Sequence, residues 1–117
     1  MVKRETVDIN SLAGVLPVRL VRELQKLAKK YQADGLDLFV FGSFARGEPY
    51  STSDLDLGVE WRKKPDPKTF SRLYWEVQTL PTIRKIDLVD FSQTDPDFRR
   101  LAAANKIYLS TRDEPRL

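Results

Sequence analysis

The chain has 117 residues, of which 41% are hydrophobic and 32% are charged, and its formal net charge at pH 7 is +3. It contains no cysteine and no histidine, which excludes disulfides, zinc–thiolate sites, thiol nucleophiles and any Ser-His-Asp triad. Any chemistry must therefore use carboxylates, hydroxyls, lysines, arginines and metal ions.

The length is typical of a single domain, and we expect residues 1–117 to form one, with its core at about 17–109. No apolar signal segment follows the amino terminus and no segment approaches transmembrane length, which predicts a cytoplasmic protein with no membrane partner. The lysines and arginines are scattered along the chain rather than gathered in one patch. Nucleic acid is therefore an open but not a favoured partner.

The first part of the chain predicts one helix. Residues 1–16 give few signals, and we expect them to form an extended arm, a short strand or a turn. Pro17 opens a helix that ends at Asp34 and Gly35. Between these points the apolar residues recur at helical spacing, namely Leu20, Val21, Leu24, Leu27, Ala28 and Tyr31.

The middle of the chain predicts two strands separated by a turn and a loop. The apolar run 36–41 predicts a buried strand, residues 44–46 a single helical turn, and residues 48–53 a loop. Strict alternation over 54–61 predicts a second strand, in which every second residue is apolar, namely Leu55, Leu57 and Val59. The acids between these residues point to the opposite face.

The last part predicts a helix, a strand and a further helix. An Asp-Pro pair at 66–67 is typical of a helix start, and the amphipathic helix that follows is stopped by Pro81. A third strand lies within 83–91, and a second Asp-Pro pair at 95–96 starts a last helix that runs to about Leu109.

The predicted order is helix, strand, strand, helix, strand, helix. It indicates an α/β (α+β) fold in which helices cover a small mixed sheet of about three to four strands, one of them perhaps from a chain end. The pairing and the order of the strands do not follow from periodicity.

Asp54 and Asp56 are the first candidates for chemistry. Two residues apart on a strand, they share one face with about 6–7 Å between their backbones, while the leucines bury the other face. Carboxylates held this close repel each other unless a positive charge lies between them, and Mg²⁺ prefers such oxygen ligands. The alternative is an exposed sheet face with two solvated acids.

Asp87 is the third candidate, in an apolar strand where it shares a face with Lys85 and Val89 while Asp90 points the other way. If this strand lies beside the second one, Asp87 completes a cluster of three carboxylates. Such a cluster could hold two Mg²⁺ ions, one activating the attacking hydroxyl and one holding the triphosphate. Otherwise Asp87 is a strand-end acid paired with Arg84 or Lys85.

Gly42 and Ser43 directly follow the first strand. A glycine lets the backbone approach a phosphate, the following turn offers N–H groups to an anion, and Ser43 adds a hydroxyl donor. The alternative is an ordinary strand-to-helix turn with Ser43 as its N-cap. Arg46 either reaches a phosphate or binds an acid in the sheet, and Ser53 either shapes the loop before Asp54 or makes a turn.

Together these residues resemble the signature of the DNA polymerase beta-like nucleotidyltransferase superfamily, which is Gly-Ser, a short spacer, Asp-x-Asp and a third acid on a later strand. Ten residues separate Ser43 from Asp54-Leu55-Asp56. The short length and the Ala-Arg-Gly continuation at 45–47 are most similar to the minimal nucleotidyltransferase family, whose members often serve as antitoxins beside HEPN proteins. The resemblance spans about 17–109 and implies the fold of that superfamily.

The resemblance also implies an activity, which is the transfer of AMP from ATP, with Mg²⁺, to a tyrosine of a HEPN toxin that is thereby silenced. It implies that Asp54 and Asp56 bind the metal ions and that Asp87 completes the triad and helps to activate the acceptor hydroxyl. The residues that we assign to the nucleotide site are Gly42, Ser43, Arg46 and Ser53.

Two other functions stay open. A non-catalytic antitoxin of the same fold would block its toxin sterically and would still neutralise it after replacement of Asp54 or Asp56. A nucleotide- or RNA-binding module that uses the scattered cations would lose affinity steeply with salt, independently of Mg²⁺. The set of three acids favours the enzyme, because a steric blocker has no need for it.

Overall fold

The computed structural model describes residue 12 and residues 14–47, 54–102 and 105–110. The expected arm at 1–16 and the loop at 48–53 lie largely outside these ranges. The described elements, in chain order, are α1 (Val18–Gln32), β1 (Leu36–Phe41), β2 (Leu55–Trp61), α2 (Pro67–Val77), β3 (Ile86–Asp90), α3 (Pro96–Ala102) and β4 (Ile107–Tyr108). A 3₁₀ turn, Phe91–Gln93, connects β3 to the segment before α3.

The four described strands form one mixed sheet in the order β3-β2-β1-β4. β1 pairs antiparallel with both β2 and β4, whereas β2 and β3 are parallel. The parallel pair requires a crossover, which α2 provides. The predicted fold class, a small mixed sheet with helices, is therefore confirmed, and the fourth strand comes from the carboxy-terminal part of the chain.

The prediction that the last helix runs to Leu109 is wrong, because α3 ends at Ala102 and the chain then turns back to the sheet. Ile107 pairs with Val40 of β1, and the backbone N–H of Leu109 donates to the carbonyl of Leu38 at 3.0 Å. Ile107 and Leu109 are both buried. Burial of these two side chains and pairing with the free edge of β1 outweigh local helix propensity.

The helices begin where the sequence predicts. The Asp66 side chain accepts a hydrogen bond from the backbone N–H of Lys68 at 3.1 Å, with Pro67 as the first helical residue. Asp95 likewise accepts from the backbone N–H of Phe98 at 2.9 Å. These caps satisfy N–H groups that have no partner within the helix.

The main core lies on one face of the sheet, under α1 and α2. Leucines of β1 and β2 face it, and the two helices contribute the residues that recur at helical spacing, namely Leu20, Leu24, Ala28 and Tyr31 of α1 and Leu73 and Val77 of α2. The Tyr31 hydroxyl donates to Glu76 at 2.5 Å and so ties α1 to α2. Burial and this hydrogen bond raise the pKa of Tyr31 to about 12. No helix in the described ranges has both the length and the apolar composition needed to cross a bilayer.

The opposite face of the sheet carries a smaller aromatic cluster, formed by the buried side chains of Phe39, Phe41 and Phe91. The rings of Phe39 and Phe91 meet edge to face with centroids 4.8 Å apart. Gly58 of β2 makes room for them, because a Cβ atom at this position would overlap the Phe39 ring and lie 2.8 Å from Phe91 Cε1. This cluster supports the face from which the acids of β2 project.

Replacement of Gly58 with alanine should therefore destabilise the protein by about 1–3 kcal/mol, because the added methyl group overpacks two buried rings. Urea unfolding followed by circular dichroism measures the loss. Shortening Phe39 to leucine in the same chain should recover part of it, which is a coupling expected only between touching residues. Strictly additive losses in the double variant would contradict this packing argument.

Candidate active site

The strand register brings two of the three candidate acids side by side. Asp56 of β2 is in register with Phe41 of β1 on one side and with Asp87 of β3 on the other. Asp54 is the residue immediately before β2. The three acids therefore converge near the end of β1, on the face of the sheet that lies opposite α1 and α2.

The pKa of Asp56 reflects both its burial and its charged neighbours. Its pKa is raised, first by burial and then by the neighbouring charges of Asp87 and Asp54, whereas Arg46 acts in the opposite direction. Three ionisable groups from three parts of the chain thus influence one half-buried carboxylate. A positive ion or a phosphate-bound metal at this point would relieve the repulsion.

Gly42 forms the wall behind Asp56. Its φ of +75° is a left-handed conformation that favours glycine, and a Cβ atom here would overlap Asp56 Oδ2 and lie 3.1 Å from Cγ. The Asp56 carboxylate is therefore packed directly against the backbone at the end of β1. Only a residue without a side chain leaves space for it.

The segment after Gly42 folds as the single helical turn that the sequence predicts. The backbone N–H of Arg46 donates to the carbonyl of Gly42 at 3.1 Å, and the side chains of Phe44 and Ala45 are buried in the main core. The first N–H groups of such a turn have no acceptor within the turn and suit an anion. Ser43, which is half-buried, is the residue of this turn that directly follows Gly42, and Arg46 is exposed.

The cations that precede β3 make separate contacts. Lys85 Nζ lies 3.7 Å from Asp87 Oδ1, so Asp87 forms the ion pair with a neighbouring cation that was the alternative to a place in the acid cluster. Asp87 also lies beside Asp56. The guanidinium carbon of Arg84 lies 4.9 Å from the centre of the Phe44 ring. Arg84 therefore links the start of β3 to the turn that follows Gly42.

A cleft of about 700 Å³ opens beside the acids. Asp56, Asp87 and Phe41 line it together with the other residues of the range 86–89 in β3. The remaining walls come from the end of α2, from the segment that follows it, and from α3, and include Tyr74, Val77, Gln78, Leu80, Thr82, Arg84, Lys85 and Phe98.

The donor set fits a magnesium ion that is completed by substrate. Within the described residues, no three acidic side chains are gathered closely enough to enclose a metal ion. Mg²⁺ is usually bound by one or two carboxylates together with phosphate oxygens and water, and not by a cage of protein ligands. Asp56 with Asp54 and Asp87 offers such oxygen ligands, and burial together with the charges of Asp87 and Asp54 raises the pKa of Asp56.

Residues 22–115 match the protein family described as polymerase beta, nucleotidyltransferase. The chain belongs to this family. A Methanocaldococcus jannaschii protein named "Putative protein adenylyltransferase" is 30% identical to the chain over 78 residues, which cover 62% of this chain and 90% of that protein. The chain is therefore a nucleotidyltransferase.

Solved structures share the fold of this nucleotidyltransferase. A chain of a toxin–antitoxin complex with AMP-PNP gives a TM-score of 0.54 at 20% identity, over 74% of this chain and 72% of that one. A chain of an MntA–HepT toxin–antitoxin complex with two aspartate-to-glutamate substitutions gives 0.59 at 18% identity, over 77% and 72%. At these identities the similarity establishes the fold alone.

Of the residues that the sequence singles out, the structure brings Asp56 and Asp87 together beside Gly42. Ser53, which we assign to the nucleotide site, lies outside the described residues. Gly58 lies within the predicted second strand, and its role in admitting the Phe39 ring follows only from the cross-strand contact. The cleft residues Tyr74 and Phe98 belong to helices distant in sequence from the signature, and the sequence carries no signal that places them beside the acids.

In metal-free nucleotidyltransferase, replacement of Asp56 with asparagine should raise the melting temperature by a few degrees at pH 7. The folded-state pKa of Asp56 lies above the ordinary value of 3.8, so the charged carboxylate destabilises the fold at every pH above that raised pKa. Below the ordinary value the carboxyl is protonated in both states, and the penalty is absent. The gain from asparagine should therefore vanish near about pH 3.

Differential scanning calorimetry in chelator-treated buffer, from acidic to neutral pH, measures this difference. Asp97→Asn is the matched control, because Asp97 is an exposed acid of α3 that is not among the groups that shift the pKa of Asp56. Its melting temperature should stay close to the wild type, with only the small loss expected from its exposed ion pair with Arg100. A melting temperature of Asp56→Asn at or below that of the wild type at pH 7 would show that the charged Asp56 carboxylate does not destabilise the fold.

Proposed function

We propose that this nucleotidyltransferase moves AMP from ATP to a hydroxyl group of a partner protein, a tyrosine of a HEPN toxin, and so acts as the antitoxin. The observation that carries the proposal is the position of Asp56, which lies against the backbone of Gly42 and in register with Asp87. A phosphate-binding turn and two carboxylates thereby meet at one point. Nucleotidyl transfer requires this combination of an anion site and clustered acids.

The turn after Gly42 is suited to hold the triphosphate. Its N–H groups bind phosphate oxygens, Ser43 adds a hydroxyl donor, and Arg46 brings a positive charge that already acts on Asp56. Burial of Phe44 and Ala45 fixes the turn against the core. The α-phosphate is thereby held in a defined orientation beside the acids, which supplies much of the rate enhancement in phosphoryl and nucleotidyl transfer.

Asp54, Asp56 and Asp87 are the residues that would hold Mg²⁺. When it is bound, Mg²⁺ neutralises charge on the phosphates and lowers the pKa of an oxygen ligand. Asp87 lies on the side of Asp56 that opens into the cleft, and it therefore stands next to the arriving acceptor. Its carboxylate orients the acceptor hydroxyl and takes up its proton.

The transfer is a single displacement at the α-phosphorus of ATP. The acceptor oxygen forms a bond to the α-phosphorus, and the bond from that phosphorus to the oxygen bridging to the β-phosphorus breaks. Pyrophosphate leaves, and AMP remains on the acceptor as a phosphodiester. The name of the M. jannaschii relative and the AMP-PNP in one toxin–antitoxin structure support ATP as donor and protein as acceptor.

The test is transfer of label from ATP to a HEPN-family protein of the same genome in the presence of Mg²⁺. Label on the α-phosphate should appear on the acceptor, whereas label on the γ-phosphate should not. Substitution of the modified tyrosine by phenylalanine should abolish the signal. Incorporation from the γ-phosphate would indicate a kinase, and the absence of incorporation from either position would overturn the proposed activity.

A further inference from the structure

Strand β3 lies at the edge of the sheet, beyond β2. Within the part of the chain that the structure describes, no strand pairs with its outer side. The carbonyl of Lys85 accepts from the N–H of Leu55 and so points towards β2. Because backbone groups of successive strand residues alternate in direction, those of Ile86 and Leu88 point outward. Such a row of backbone donors and acceptors is a template for another extended chain.

The cleft surrounds this edge on both faces of the sheet. On the helix side, where Ile86 and Leu88 pack against the main core, it is walled by the end of α2. On the acid side, its walls are Asp56, Asp87 and Phe98. An extended segment beside β3 would therefore place one side chain towards α2 and the next towards the acids.

The wall on the helix side combines apolar side chains with the polar Gln78 and Thr82, and it is partly open. Val77 and Leu80 line it, and Tyr74 stands above them with 41% of its surface exposed. A helix lying in this cleft would leave the outward groups of Ile86 and Leu88 without partners, whereas an extended segment satisfies them. The shape of the cleft and the outward backbone groups of β3 therefore both favour an extended segment as the occupant.

The charges at the start of the edge indicate the composition of the occupant. Lys85 is a wall of the cleft with 70% of its side chain exposed, and Arg84 lies beside it. An acidic residue of the bound segment would complement these cations. Further along the strand, the negative charge of Asp87 would repel a second acid of the bound segment, so a neutral hydroxyl side chain fits better there.

We propose that the outer edge of β3 binds an extended segment of the acceptor protein as a fifth strand of the sheet. This inference rests on the proposed function, which it deepens by naming the form in which the acceptor arrives. The segment has apolar side chains at alternate positions facing α2, a hydroxyl side chain facing Asp87 and an acid near Lys85. Backbone pairing gives affinity, and the alternating pockets fix which residue faces the acids.

The test begins with random heptapeptides displayed on phage and selected on the full chain. Selected peptides, made synthetically, are added to the protein, and amide hydrogen exchange is followed by NMR. We expect sequences with alternating apolar residues and one terminal acid, which slow exchange at Ile86 and Leu88 by at least about tenfold. A lack of enrichment, or protection elsewhere on the surface, would overturn the inference.

Amide exchange of the protein without added peptide tests whether something other than an acceptor segment occupies the edge of β3. If amide protection at Ile86 and Leu88 rises with protein concentration, a second copy occupies the edge. If removal of residues 1–11 or 111–117 accelerates exchange there, a segment of the chain itself occupies it. Either result overturns the inference, whereas rapid exchange at every concentration and in both truncations supports it.

Two variants at one position isolate the backbone contribution. Leu88→Ala keeps the outward N–H, and Leu88→Pro removes it while leaving the groups that pair with β2, which is tolerated on edge strands. Binding of the selected peptides should persist in the alanine variant and be lost in the proline variant. Equal binding by both folded variants would count against strand addition, and the exchange experiment on the wild type decides if the proline variant does not fold.

The outcome is separable from that of the proposed function. Peptide protection at β3 without label transfer from α-labelled ATP would leave the docking edge intact and remove the activity. Label transfer to a HEPN protein without protection of Ile86 and Leu88 in the complex would keep the activity and overturn the docking edge.

Discussion

Replacement of Gly42 with alanine should reduce AMP transfer by about 100-fold, because the methyl group would occupy the space of Asp56 Oδ2. A displacement of about 1 Å in a reacting group has consequences of this size. The substitution should also destabilise the fold by about 1–2 kcal/mol, since alanine in a left-handed conformation is strained. Initial rates with α-labelled ATP and urea unfolding measure the two effects.

Gly47→Ala is the matched control for this prediction. Gly47 has nearly the same φ, +74°, and a Cβ atom there meets nothing within 4 Å among the described residues. Its alanine variant should lose a similar amount of stability but keep transfer within a few-fold of the wild type. Equal loss of transfer in the two variants would mean that backbone strain, and not contact with Asp56, explains the requirement for glycine.

Asp56→Asn should lower AMP transfer by about 10³-fold, the loss typical of removing a preorganised charge from a reaction centre. Magnesium-dependent binding of ATP, measured by titration calorimetry, should be lost at the same time because asparagine is a weaker metal ligand. The fold should survive, and in metal-free buffer it should gain stability. Loss of activity together with a gain in stability distinguishes an active-site acid from a structural one.

Asp90→Asn controls for the removal of a carboxylate from the same region. Asp90 is on β3 close to Asp87 but lies on the other side of the strand, where it accepts from Trp61 Nε1 at 3.1 Å and from the backbone N–H of Ser92 at 2.9 Å. An asparagine oxygen can accept these bonds, so transfer should stay near the wild-type rate.

If Asp56→Asn neutralises the HEPN toxin as well as the wild type does, the antitoxin acts by steric blocking and not by catalysis.

The local features of the chain were predictable because short-range physics determines them. Alternation of apolar residues in β2 predicted which face carries Asp56, and the Asp-Pro pairs predicted the starts of α2 and α3. The Gly42 turn was predictable because glycine after a buried strand favours a change of direction. Each of these inferences needs only residues within one element or its cap.

The long-range features were not predictable, because they depend on which surfaces meet. The pairing of Asp56 with Asp87 requires β3 to lie parallel to β2 after the α2 crossover, which periodicity does not specify. Ile107 joined the sheet instead of extending α3. Asp37, in the middle of an apolar run, is buried in an ion pair with Arg62, which follows β2 directly.

The parallel register of β2 and β3 has a consequence for how the chain tolerates insertions. Asp56 is in register with Asp87, so that one residue inserted between Ile86 and Asp87 would turn Asp87 to the helix side and separate it from Asp56. Residues added to the connection between β2 and α2 would leave the pairing unchanged, since longer surface loops cost little free energy. Chains of this fold can therefore differ in length along this crossover and still pair Asp56 with Asp87, whereas the start of β3 must keep its spacing.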